Sequence, residues 1–191
     1  MGDAINHYRN LNNFYKVRSG LSVSRFSSID ATIKPITQFS AYEDLKMPFQ
    51  ITGRLVTAST YKDKNYGRVT LDGVDLKESL NAWVGIPIYT SHAVFDKVMR
   101  GEDVSINEIV GKITKVMWNS ADNGIDFYAD VFDKQVAFKM ANGLIKYISV
   151  GFAREVVSRN RELFFTSIEP KEASLVFDPR DKNAEFKPVN T

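Results

Sequence analysis

The chain holds no cysteine and only two histidines, His7 and His92. Acid–base chemistry through imidazole near neutral pH therefore has two candidates, and a thiolate nucleophile has none. His92 sits in "IPIYTSHAVF", where a strand-like run gives way to a polar, helix-like one. Strand ends suit functional side chains, because the scaffold fixes them while the loop leaves them accessible. Ser149 stands in "GLIKYISVGF", one small hydroxyl in a strand of Ile and Val, with Gly151 two residues on. Serine is a poor strand former, and glycine weakens a strand unless the backbone bends or is closely approached. A bulge in an ordinary sheet accounts for the pattern in one way, and a nucleophile accounts for it in another. A serine nucleophile needs a base, and histidine is the usual one. Their order along the chain imposes no veto.

A third group should orient the imidazole. Glu169, Glu172 and Asp178 are the downstream carboxylates, with Glu155 and Glu162 less well placed. Glu172 opens "EASLVFDP" on a strand-like run, where an inward-pointing carboxylate needs a partner. A solvated strand end would explain it equally well.

Other chemistries have less support. With no cysteine and two histidines, no metal site is expected. Neither G-x-x-x-x-G-K-[ST] nor G-x-G-x-x-G occurs, so no nucleotide cofactor is expected. The G-x-S-x-G elbow of the α/β-hydrolases is also missing. Asp122, Asp126, Asp130 and Asp133 form a carboxylate-rich stretch, but the EF-hand spacing is absent and the residues suit a turn and an exposed strand face.

The elements that must position these residues read as mostly β. Residues 1–46 are rich in Ser, Asn and Arg and carry their apolar residues singly. They read as an extended arm or propeptide with a short helix near Ala4–Tyr15, and 47–188 as the folded domain. "FQITGRLVTAS" alternates as a half-buried strand, "YKDKNYG" reads as a polar turn, and "RVTL" as a short strand. "DLKESLNAW" suits a two-turn helix. "GIPIYTS" suits a strand that Pro87 confines to an edge or a strand end, and "AVFDKVMRGED" a helix stopped by Gly101. Asn123-Gly124 predicts a tight primed turn between strands near 108–118 and 125–132. Asp133 and Gly143 bracket a helix. Three strands follow, in "LIKYISVGFAREVV", "ELFFTSIE" and "EASLVFD". The expected fold class is α+β, mostly antiparallel β, closed into a barrel with a few short helices.

At 191 residues, with 43% apolar residues and 25% charged, the chain can bury a core. A net charge of +2 gives no reason to expect nucleic acid or an acidic membrane as partner. No apolar run approaches the roughly 18 residues of a membrane span, and "MGDAINHYRNLNN" does not read as a secretory signal. A soluble, intracellular protein is the expectation.

Four stretches, taken in order, resemble the prohead (capsid maturation) serine proteases of tailed bacteriophages: "GIPIYTSHA", "VGKITKVMWNSADNGIDFYADVFD", "MANGLIKYISVGF" and "KEASLVFDP". They look like that family's histidine strand, the hairpin after it, its serine motif and its E-[VA]-S-L-V-x-x-P strand. The likeness spans roughly residues 50–188. The family is distantly related to the herpesvirus assemblins, so the resemblance implies an assemblin-like β-barrel flanked by short helices. It matches His92 to the general base and Ser149 to the nucleophile. Assemblins carry a second histidine at the third position, which here is Glu172, with Asp178 as the reserve. For the oxyanion the resemblance leaves backbone N–H groups near Val150 and Gly151, or Arg180, at an offset where assemblins carry an arginine.

The activity so implied is that of a serine endopeptidase. It would work inside the assembling procapsid in the host cytoplasm, cleaving scaffold protein, the N-terminal region of the major capsid protein, and itself. Homo-oligomerisation stays open. The rival expectation is a non-catalytic β-barrel that binds scaffold or capsid. A weaker one is a nucleic-acid-binding barrel that stacks bases on Phe127, Tyr128, Tyr147 and Phe152.

Overall fold

A computed structural model describes residues 42–63 and 65–189. The expected helix near Ala4–Tyr15, His7 and most of the arm lie outside the described residues. Of the 1–46 segment, Tyr42 meets Phe138 edge-on at 5.8 Å between ring centroids, and Leu45 packs against the core.

Among the described residues the fold is α+β and mostly β: one nine-stranded mixed sheet with three short α-helices. The strands are β1 (Phe49–Thr57), β2 (Ser59–Asp63), β3 (Gly67–Leu71), β4 (Pro87–Tyr89), β5 (Ile109–Asn119), β6 (Gly124–Val131), β7 (Tyr147–Arg159), β8 (Glu162–Val176) and β9 (Phe186–Pro188). The helices are α1 (Gly73–Glu78), α2 (His92–Met99) and α3 (Lys134–Ala141). The order across the sheet is β2-β3-β8-β4-β5-β6-β1-β9, with β7 on the other side of β8. The pairings are antiparallel except β3–β8 and β4–β8, which are parallel.

Alternation builds this sheet. In β6, Ile125, Phe127, Ala129 and Val131 all point inward and are buried, while Asp126, Tyr128 and Asp130 between them are half-exposed. Phe127 is therefore a core residue. Phe152 packs edge-on against Trp83 and Phe165, at 6.3 and 6.0 Å between centroids. Asp133 caps α3 by accepting the Val136 N–H at 2.8 Å, as its sequence position predicts.

Several expectations need correction. The sheet is not closed into a barrel. β9 has only three residues and spends its ladder on β1, and among the described residues the chain meets β7 there through one isolated bridge, Tyr147↔Glu185, just before β9 begins. Of the two places that Pro87 allows, the edge is wrong and the strand end is right: it is the first residue of β4, which lies between β8 and β5. "YKDKNYG" is more than a turn, because Tyr61–Asp63 belong to β2, the first arm of a hairpin with β3. "DLKESLNAW" divides into α1 and a 3-10 turn at Leu80–Trp83, joined at Ser79, whose hydroxyl donates to Leu76 O and accepts from the Trp83 indole. The β5–β6 loop is four residues long, Ser120–Asn123, and only Asn123 takes a positive φ of 51°. Gly124 instead opens β6 where a Cβ would stand 2.7 Å from Val56 O. Finally, "ELFFTSIE" and "EASLVFD" are one strand, β8. A register shift at Lys171 accommodates Pro170, which has no N–H for the ladder.

Candidate active site

Three elements meet at the site. At the site β8 runs parallel to β4, with Ile88 beside Ala173 and Tyr89 beside Ser174. The chain leaves β4 through Thr90 and Ser91, and His92 opens α2. That route carries the imidazole to Glu172, where His92 Nδ1 lies 2.6 Å from Glu172 Oε1. The other carboxylate oxygen, Oε2, accepts from the Ser174 hydroxyl at 2.7 Å. Glu172 is 3% exposed and the His92 side chain 42%. A buried carboxylate is thus bonded on both oxygens, while the ring it holds keeps an open side. With the carboxylate accepting, Nδ1 is the donor and Nε2 is left as the free base.

The hydrogen bond that His92 donates to Glu172 raises the His92 pKa above its ordinary 6.5. Burial opposes it, the Glu172 and Asp96 charges add to it, and Arg180 works against it. Burial and the same Glu172 charge push the Tyr89 phenol upward.

Strand β7 places the serine. Ser149 pairs directly with Ser174 on β8, and Gly151 with Glu172. Directly opposed residues of an antiparallel pair point to the same face, with Cβ atoms about 5 Å apart. Ser149, Ser174 and Glu172 therefore share one face. Gly151 occupies the fourth place because a Cβ there would stand 2.6 Å from Glu172 Oε1. Ser149 and His92 both line a cavity of about 680 Å³, with Val150, Phe152, Asp178 and Arg180 among its other walls. Among the described residues, no hydrogen bond joins the Ser149 hydroxyl to the imidazole. Such bonds often tighten only when substrate is bound.

The backbone of β7 adds a feature. Ile148 N–H donates to Ala184 O at 3.1 Å, away from β8. N–H groups two apart on a strand point to the same edge, so Val150 N–H also points away from β8, beyond the last contact with the 184–186 segment. Gly151 N–H, one residue on, faces β8. Of the two expected backbone oxyanion donors, Val150 alone faces the open edge.

The remaining candidates separate by environment. Asp178 is 86% exposed and ion-pairs with Lys182 on its own loop. Glu169 pairs with Lys171, and Glu155 accepts from Ser167. Among these carboxylates Glu172 is the one that meets the imidazole. Arg180 is about half exposed on the cavity rim, with Nη1 3.8 Å from the buried Asp63 Oδ2. Its loop is tied down by Asp181, which accepts the Thr57 N–H at 2.6 Å and the Tyr61 hydroxyl at 3.2 Å. Sequence reasoning passed over Ser174, although the alternation in "EAS" puts it on the face of Glu172.

Among the described residues no cluster of His, Asp and Glu could hold a metal ion, and no helix is long and apolar enough to cross a membrane. Compared with models of protein families and with curated proteins, the chain gives no match.

Proposed function

We propose that this chain is a serine endopeptidase of the prohead-maturation type. Its substrates would be scaffold protein and the N-terminal region of the major capsid protein, and it would also cleave itself. It would act within the assembling procapsid in the host cytoplasm. One observation carries the reading: an imidazole bonded through Nδ1 to a buried carboxylate opens on the same cavity as Ser149. The four motif resemblances supply the virological context, and on that reading the open sheet is a variant of the assemblin-like barrel.

In the proposed cycle, His92 Nε2 takes the Ser149 proton as Oγ attacks the scissile carbonyl carbon. Negative charge develops on the carbonyl oxygen, for which Val150 N–H and the Arg180 guanidinium are the donors at hand. When the C–N bond breaks, His92 returns the proton to the departing amine. Water then attacks the acyl-serine ester, with His92 again as base, and releases the acid and Ser149. Glu172 keeps the ring oriented and stabilises its charged form. The edge of β7 to which Val150 N–H points, away from β8, suits an extended peptide that adds as a strand.

The test is to incubate the parent chain, Ser149→Ala and His92→Ala with and without scaffold and capsid protein, following intact masses. A fluorophosphonate probe is applied in parallel. Cleavage by the parent alone, with the probe adduct mapped to Ser149, is the expected result. Intact masses throughout and no adduct on Ser149 would overturn it in favour of a non-catalytic capsid-binding module.

A further inference from the structure

Ser174 is fully buried, with 0% of its surface exposed, yet it carries a hydroxyl. A buried hydroxyl costs free energy unless bonded, and this one makes a 2.7 Å bond to Glu172 Oε2. Glu172 needs such a partner. Its carboxylate can rotate about the terminal side-chain bond, a broad and weakly restricted torsion. A single bond to the exposed ring would leave that rotation free. Two bonds on opposite oxygens, one of them to a side chain locked in the strand, fix the plane of the carboxylate. The strand geometry enforces the arrangement, since Glu172 and Ser174 alternate onto one face of β8 and Gly151 leaves space above the carboxylate.

We propose that Ser174 is a positioning residue for the His92–Glu172 pair: its hydroxyl fixes the carboxylate so that Oε1 is aimed at His92 Nδ1. Ser174 is not a nucleophile, because it is sealed from the cavity and its proton is committed to Glu172. The catalytic part of the inference rests on the peptidase reading, whereas the geometric part stands without it. The other charged or titratable groups around the pair are Tyr89 from β4, Asp96 from α2 and Arg180 from the loop after β8.

The experiment follows the His92 ring by NMR across a pH titration in the parent, Ser174→Ala and Ser174→Cys. Assignment needs only a His7 variant, since there are two histidines. Ala removes the hydroxyl without adding bulk, and Cys, slightly larger than Ser and only a weak donor, serves should Ala fail to fold. The expected result is a fall of the His92 titration toward its ordinary value, larger for Ala than for Cys, with loss of the low-field Nδ1–H signal. An unchanged or raised titration overturns the inference. Where peptidase activity is found, kcat should drop about tenfold at unchanged KM, the size of one lost bond to a charged group. If no activity is found in any form, the NMR titration still decides the inference, so its failure and that of the peptidase reading remain distinct.

Discussion

Gly151 lies across the β7–β8 ladder from Glu172, and the space its missing side chain leaves is filled by the Glu172 carboxyl group. A Cβ at position 151 would stand 2.6 Å from Oε1 and 2.7 Å from Cγ of Glu172. The glycine after the serine thus serves the carboxylate, which in turn serves the histidine.

Gly151→Ala should therefore damage the site through its neighbour. The carboxylate is buried and bonded on both sides, so it has nowhere easy to go. Overpacking of this kind costs about 1–3 kcal/mol, to be read as a lower urea midpoint with an unchanged slope. The His92 titration should fall in the same variant as Oε1 is pushed off line. A variant with parent stability and parent titration would show that the contact is not tight.

The raised pKa of His92 fixes the direction of two pH effects. As general base the ring must be neutral, so kcat/KM should rise with pH through an acid limb whose midpoint lies above 6.5. The stability effect runs the other way. A group whose pKa is raised on folding stabilises fully below its unfolded value and loses that contribution as pH climbs through the folded one. The pair supports the fold best where it is least active. Glu172→Gln should bring the acid limb down toward 6.5 and cut kcat by about 10⁴-fold, the size of the loss when the carboxylate of a serine-protease triad becomes an amide. An acid limb that Glu172→Gln leaves in place would assign it to another group.

Val150→Pro separates the two oxyanion donors. Proline removes the N–H that faces the open edge of β7, and a sheet tolerates it where that N–H makes no ladder bond. The folded chain should keep its melting temperature to within a few degrees and lose about 10²–10³-fold in kcat. Arg180→Ala should then cost less, since the guanidinium is about half exposed and its loop is held independently through Asp181. A larger loss from Arg180→Ala than from Val150→Pro would make the arginine the principal donor.

What the sequence alone determined is local chemistry and local periodicity. The absence of cysteine and the scarcity of histidine confined the candidate base to two positions. Alternation in "FQITGRLVTAS" and the cap at Asp133 specified β1 and α3, because a period of two and a side-chain acceptor before a helix depend on neighbours in sequence. The glycine at 151 was visible as an anomaly, but its cause was not, since Glu172 stands opposite only through a register that β7 and β8 set together.

Tertiary structure decided everything that depends on which strands adjoin. Pro87 allowed an edge strand or a strand end, and only the neighbouring strands show that it is the first residue of a strand inside the sheet. The choice among Glu169, Glu172 and Asp178 was likewise open in sequence. Which of them meets the imidazole depends on the parallel pairing of β4 with β8, which brings His92 to Glu172 and leaves Asp178 in solvent with Lys182. Closure of the sheet also lay beyond any local signal. Whether nine strands form a barrel depends on a ladder between the two ends, and here that ladder is a single bridge. Among the described residues no strand pairs with β7 at Val150 on that side, because a strand's hydrogen-bonding edge is free only where no neighbour arrives to cover it.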